Sequence, residues 1–306
     1  MFRFKPPALS LVLLAGFPAV SGSQISQPFQ VSVNVDLVVL NATVRDRKGQ
    51  FASNLREQDF EVYEDGARQS IRLFRHEDIP VTVGLVIDHS GSMNRKLPEV
   101  IAAARTFVRS SNQDDQIFVV NFNEHVTLGL PGAMRFTDRV EELESAISHT
   151  PTIGMTALYD AVLEAQERLR AGSRDKKVLI VISDGSDNAS KHNLDEVLRI
   201  AGQSTALVYT IGIFEKEDPD ANPRVLKRLA QVTGAEAFVS SDRDEVVANC
   251  ERIARDIRHQ YTIGYVPAHT APPGAYRSIR VVARTTGGAK LSVRARSGYI
   301  AGEAAK

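Results

Sequence analysis

Residues 81–92 read Val81-Thr82-Val83-Gly84-Leu85-Val86-Ile87-Asp88-His89-Ser90-Gly91-Ser92. Seven uncharged residues, mostly β-branched or aliphatic, give way abruptly to an acid, a glycine and two serines. A continuous apolar run bounded by turn formers is the pattern of a strand buried on both faces, as in a parallel sheet covered by helices. The run Val178-Leu179-Ile180-Val181-Ile182-Ser183 repeats this form and ends in Asp184-Gly185.

Working outward, further strands are expected at 116–122 and 206–213, with shorter ones at 125–130 and 236–240. Amphipathic segments lie between them. Leu158, Val162, Ala165 and Leu169 share one helical face, as do Val246, Cys250, Ile253 and Ile257. Asn222-Pro223 has the form of an N-cap and first-turn proline, with Gly234 where that helix should stop. Asp242 with Glu245 resembles a capping box. Strand–helix alternation over residues 79–260 predicts an α/β domain with a doubly wound, mostly parallel sheet.

On either side the pattern is purely β. Val31, Val33 and Val35 alternate with polar residues, and 37–44 continue the run. Asp65-Gly66 predicts a hairpin between Phe60-Glu61-Val62-Tyr63-Glu64 and Ile71-Arg72-Leu73-Phe74. After Gln260, β patterns return at 261–266, 279–284 and 291–300, with Gly287-Gly288 as a turn. Neither flank is large enough to close a core alone. The expectation is therefore that residues 30–78 and 261–300 pair in one smaller antiparallel β domain into which the α/β domain is inserted. Two independent β appendages are the alternative.

Composition narrows the function. The chain has 306 residues, 37 Lys+Arg against 37 Asp+Glu, 43% apolar residues and one Cys. Such a length corresponds to about two domains. Zero formal net charge gives no electrostatic reason to expect nucleic acid or an anionic membrane as partner. A single Cys excludes an internal disulfide and a Cys-based zinc site. At the N-terminus, Arg3 and Lys5 precede an apolar run over 8–19 and the small or polar residues Val20-Ser21-Gly22-Ser23-Gln24. That is the pattern of a signal peptide over residues 1–23. Pro6, Pro7 and Pro18 argue against a buried helix there, and the run is short for a membrane span. Export to the periplasm or outside the cell is expected.

The chemistry gathers at strand ends. Asp88, Ser90 and Ser92 follow one strand, Asp184 follows another, and Thr156 in Gly154-Met155-Thr156-Ala157-Leu158 stands where a helix begins. Open α/β sheets bind ligands in the crevice beyond the carboxyl ends of their strands. Two carboxylates and three hydroxyls are hard oxygen donors that suit Mg²⁺, with Mn²⁺ or Ca²⁺ as alternatives. The carboxylates balance the ion's charge, the hydroxyls add no repulsion, and a coordination position stays open.

Asp-x-Ser-x-Ser after the first strand, the Gly-x-Thr-Ala-Leu segment and Ser-Asp-Gly after a later strand together resemble a von Willebrand factor type A domain over about residues 79–258. The β flanks are similar to those of secreted bacterial proteins carrying it. The resemblance implies a six-stranded sheet with one antiparallel edge at 125–130. It also implies a metal-ion-dependent adhesion site in which Asp88, Ser90, Ser92, Thr156 and Asp184 hold a divalent cation directly or through water. In the family a partner's carboxylate often completes the coordination. The expected function is an exported, non-enzymatic, divalent-cation-dependent protein-binding module for adhesion or assembly, whose partner offers an Asp or Glu carboxylate. The alternative is a metal-assisted hydrolase of phosphate or ester substrates. Against it, Ser90 stands where such enzymes carry a second carboxylate, and no Gly-x-Ser-x-Gly elbow or Walker loop exists. A third reading gives recognition to the β domain and leaves the metal to stiffen the fold.

Other residues have plainer readings. His89 is expected on the rim of the site without a metal role. Asp160 is either an outer group of the site or a first-turn acid placed by the helix dipole. Asn121 and Asn123 are weaker candidates for the same edge. Cys250 is expected as a buried, inert thiol. Asn41-Ala42-Thr43 and Asn188-Ala189-Ser190 fit the glycosylation triplet, which is common by chance. The acidic stretch 215–220 reads as a solvated connection.

Overall fold

The computed structural model describes residues 37–76, 78–214 and 221–301. The expected signal peptide, the valine alternation at 31–35 and the acidic connection 215–220 lie outside the described residues. The described residues open with β1 (Val38–Arg45), β2 (Phe60–Glu64), β3 (Ala67–Gln69) and β4 (Ile71–Arg75). β5 (Val81–Asp88), α1 (Leu97–Arg109), β6 (Gln116–Phe122), β7 (Val126–Leu128), α2 (Val140–Ser148) and α3 (Leu158–Arg170) follow. Then come β8 (Lys176–Ser183), α4 (Leu194–Gln203), β9 (Leu207–Ile213), α5 (Pro223–Thr233), β10 (Ala237–Ser240) and α6 (Arg243–Arg258). The chain ends with β11 (Tyr261–Tyr265), β12 (Tyr276–Ala283), β13 (Ser292–Arg294) and β14 (Gly298–Ile300).

The central sheet runs β10-β9-β8-β5-β6-β7, and only the β6–β7 pairing is antiparallel. Every residue of β5 is buried, as its unbroken apolar run requires. Helices flank the sheet in two groups, α1 against α2 and α6, and α4 against α3 and α5. In α3 the residues Leu158, Ala161, Val162, Ala165 and Leu169 form the buried stripe. The helix ends use different means. Asp242 caps α6 by accepting from the Glu245 N–H at 3.0 Å. The Glu245 carboxylate turns instead to the Ser241 N–H, so only half of the expected box forms. Asn222 makes no side-chain cap on α5; its N–H donates to the Asp184 carbonyl at 2.9 Å and ties that helix to the strand end. Gly234, at φ 84°, closes α5.

The two β flanks interleave. One sheet runs β13-β1-β11-β4 and the other β14-β12-β2-β3, so each takes strands from both ends of the described chain. Leu40, Val62, Phe60, Tyr261, Ile263 and Ile279 meet in one small core between them. One expectation needs correction. After the Asp65-Gly66 turn, only Ala67–Gln69 returns along β2, while Ile71–Arg75 leaves that sheet and pairs with β11. The reason lies in the aromatic core: Phe74 packs on Phe60 and Tyr261, with ring centroids 5.3 and 5.6 Å away.

A buried polar joint ties the β strands to the helices. Asp256 on α6 is fully buried and accepts from Tyr209 Oη on β9, Arg294 on β13 and Arg45 on β1. Gln260 Nε2 donates to Tyr209 Oη at 2.9 Å. Removing Asp256 leaves the buried Tyr209 hydroxyl without its acceptor and strips Arg45 and Arg294 of their shorter ion pair, leaving them only Glu236. Asp256→Ala is therefore expected to lower unfolding free energy by about 3–5 kcal/mol in a denaturant titration. A loss below about 1 kcal/mol, the size of an exposed pair, would contradict this.

Candidate metal centre

β5 and β8 are parallel neighbours in register, with Ile87 opposite Ile182, so their ends deliver Asp88 and Ser183 side by side. Ser183 Oγ donates to Asp88 Oδ2 at 2.6 Å, and the Ser90 N–H donates to Asp88 Oδ1 at 2.8 Å. The chain then makes a single 3-10 turn at Gly91–Met93. There the Gly91 N–H donates to the Gly154 carbonyl at 3.1 Å and draws in the segment carrying Thr156. Gly154 adopts φ +82°, a conformation that favours glycine, and a Cβ at this position would displace the Glu124 carboxylate. Glu124 Oε2 accepts the next N–H, from Met155, at 2.9 Å.

Of the five residues singled out by sequence, Ser90, Ser92, Asp184 and Thr156 come together in one run of oxygen contacts, and Asp88 joins it through the Ser90 N–H. Ser90 Oγ lies 3.1 Å from Ser92 Oγ, and Ser92 Oγ donates to Asp184 Oδ2 at 2.5 Å. Ser186 Oγ bridges onward, 2.8 Å from Asp184 Oδ1 and 3.4 Å from Thr156 Oγ1. Asp88, Ser90, Thr156 and Asp184 are buried, while Ser92 is exposed, so the ring opens to solvent on its side.

Among the described residues no Lys, Arg or His forms an ion pair with Asp88 or Asp184, whose exposures are 0% and 1%. Burial pushes the Asp88 carboxyl up to about 6, against the pull of hydrogen bonds from Ser183 and Ser90, and the nearby Asp184 charge adds to the rise. Buried carboxylates lacking a cationic side chain are the residues a bound dication would neutralise. The donors are all hard oxygens, and no three His, Cys, Asp or Glu side chains converge among the described residues. The set therefore fits Mg²⁺, Mn²⁺ or Ca²⁺ by its chemistry.

Among the neighbours, His89 differs from expectation and Cys250 agrees with it. His89 is not on the rim; it is fully buried, its backbone N–H donates to the Phe122 carbonyl, and burial lowers its pKa. Asn121 turns its side-chain amide to Ala146 O and Thr150 Oγ1, away from the ring. Asp160 does not join the ring: its carboxylate accepts from the Lys191 and His192 N–H groups. Cys250 is buried, and burial pushes its thiol up to about 12, which keeps it protonated and unreactive. Ser183 and Ser186 were not distinguished by sequence, because serine after a strand is an ordinary turn residue; only strand register reveals their contacts.

The geometry agrees with comparisons to known proteins. A search of curated proteins finds no match. Among solved structures, a von Willebrand factor type A protein from Catenulispora acidiphila is 13% identical, with 88% of this chain and 74% of that one covered and a TM-score of 0.52. Proximal thread matrix protein 1 from the mussel byssus is 17% identical, covering 64% and 51% of the two chains at a TM-score of 0.51. A further structure of that mussel protein, described with a zinc-occupied MIDAS motif, is 18% identical over 65% and 50% of the chains at a TM-score of 0.50. At these identities the likeness is one of fold. The von Willebrand factor type A domain profile matches residues 82–251, more than half of the sequence, and this chain belongs to that family.

Proposed function

We propose that the oxygen ring holds a divalent cation, Mg²⁺ with Mn²⁺ or Ca²⁺ as alternatives, and that the chain binds a partner protein through it. The observation that carries this reading is the pair of buried carboxylates, Asp88 and Asp184, set among hydroxyls and, among the described residues, ion-paired to no cationic side chain. The two carboxylates balance the dication, and Ser90, Ser92 and Thr156 supply neutral oxygens. A cation held there offers an electrophilic face to an Asp or Glu carboxylate of the partner. Around that opening the loop itself is apolar: Ile153 and Met155, 60% and 52% exposed, flank Gly154. A partner segment that sets an acidic residue beside an apolar one fits this rim.

Binding without catalysis is favoured by the hydroxyl partners. Ser90 Oγ contacts Ser92 Oγ, Ser92 Oγ donates to Asp184, a carboxylate that the cation would engage, and the adjacent His89 is sealed in the interior, away from both hydroxyls. Export rests on the basic, apolar and small-residue succession at 3–24. Among the described residues no helix is long and apolar enough to cross a membrane.

Calorimetric titration of the full chain with Mg²⁺ or Mn²⁺ should give saturable uptake that Asp88→Ala and Asp184→Ala abolish; no uptake by the parent chain sinks the proposal. The proton on Asp88 sets a pH dependence. Its pKa in the fold, about 6, exceeds the ordinary value of 3.8. The stability it contributes is therefore full below the ordinary value and lost as pH rises through 6, a loss of about 3 kcal/mol without cation. A cation needs the carboxylate, so the rise in Tm it causes should be larger at about pH 7.5 than at about pH 5. Asp88→Asn should remove both effects in parallel thermal scans with and without chelator. Replacing both Ile153 and Met155 by Ser should weaken retention of partner proteins on the immobilised chain while leaving Mn²⁺ affinity unchanged. Equal retention would show that the apolar rim plays no part.

A further inference from the structure

Thr156 supplies the ring with a hydroxyl from a segment outside any strand or helix, so something must hold its backbone. That work is done by the loop after β8. Asn188 Oδ1 accepts the Thr156 N–H at 2.8 Å, and the Thr156 carbonyl accepts the N–H groups of Asn188 and Ala189, each at 3.0 Å. Both backbone polar groups of the ring residue are thus satisfied at a single point of that loop. The same loop caps α3 from outside. Ala157, at the N-cap position, has no side-chain acceptor to offer. Asp187 Oδ2 accepts the Tyr159 N–H at 2.9 Å and Ser190 Oγ the Asp160 N–H at 3.1 Å instead. Asp160 answers by accepting from Lys191 and His192.

We propose that Asn188 is a positioning residue for the cation site, acting through the Thr156 backbone to fix Thr156 Oγ1 in the ring. This inference rests on the reading of the ring as a cation site. Asn188 is itself exposed, and its single side-chain hydrogen bond among the described residues goes to Thr156 rather than to any ring oxygen. Its Oδ1 is the atom that matters. An alanine there removes the acceptor, and an aspartate keeps it. Groups that orient a metal ligand through a hydrogen bond commonly affect metal affinity by ten- to a hundredfold, roughly. The Asn188-Ala189-Ser190 triplet, which fits a glycosylation acceptor, thereby gains a structural use: Asn188 and Ser190 each hold an N–H at the start of the α3 segment.

The test pairs two readouts on the full chain, Mn²⁺ titration by calorimetry and hydrogen exchange of the Thr156 amide in chelator. Asn188→Ala should bind Mn²⁺ about tenfold more weakly. Its Thr156 amide should exchange faster, while its Tm in chelator stays within a few degrees, about the effect of one part-buried hydrogen bond. Asn188→Asp should restore both the affinity and the protection. Parental affinity in Asn188→Ala, or an Asn188→Asp as impaired as the alanine variant, overturns the assignment. Should the alanine variant not fold, Asn188→Asp decides alone: affinity at or above the parent's supports it, and a tenfold loss overturns it. If the parent chain takes up no Mn²⁺, the cation reading falls and takes this one with it. If the parent binds and Asn188→Ala binds equally well, only the role of Asn188 falls.

Discussion

The structure turns on the burial of one carboxylate between two parallel strand ends. Asp88 is the last residue of β5, fully enclosed, and held by Ser183 Oγ from β8 and by the Ser90 N–H of its own chain. A charge removed from water without an ionic partner is costly, and two hydrogen bonds offset only part of that cost. The rest of the α/β domain makes the placement unavoidable. An apolar β5 pinned between β6 and β8 leaves Asp88 no route to solvent, and the helices close both faces of the sheet. What stays open is the strand-end edge, where three separate segments of the chain can reach one point.

Those segments are held mainly by backbone bonds, which lock position without competing for the site's charge. The Gly91 N–H reaches Gly154 O, the Asn222 N–H reaches Asp184 O, and the Ala157 N–H reaches Asn123 O. The ring oxygens already touch one another, so a dication would replace O–H···O contacts within a preformed set and would not need to gather scattered ligands. Farther away, Asp256 and Arg294 join α6 to the β strands through buried charge, and Arg296 donates to Ser204 O. Charged joints of this kind define one arrangement more than they deepen its stability.

How much of this could be read from sequence depends on the range of the interactions involved. The sheet was legible because a strand buried on both faces must be apolar throughout, a local property visible in 81–87 and 178–183. Asp88, Ser90, Ser92 and Asp184 were legible as neighbours because oxygen-bearing residues follow the ends of two strands that a parallel sheet sets side by side, while Thr156 stood out by its place just before a helix. The sheet change between β3 and β4 was not, since it depends on Phe74 meeting Tyr261, a residue from the other end of the chain. His89 was misread for a related reason. A polar residue between two ring residues looks like a rim residue, yet strand alternation continued past Asp88 turns it the opposite way, into the interior. Ser183, Ser186 and Asn188 carry no signal in isolation, because their importance lies in what they face.

A cation alone discriminates little among carboxylates, so selectivity for a partner has to come from the surface around it. Here that surface and one of the proposed cation ligands share a segment: Ile153 and Met155 are exposed on the stretch that carries Thr156. Glu124 fixes this stretch at Met155, Gly91 fixes it at Gly154 and Asn188 fixes it at Thr156. With anchors at three consecutive residues, the apolar side chains cannot shift without straining the threonine beside them. A partner whose apolar group fits poorly would therefore push on a ring ligand as well as lose contact area. Under the proposed function, binding through the cation and recognition by the rim would form one mechanical unit, and discrimination between partners would exceed what the small apolar area provides alone.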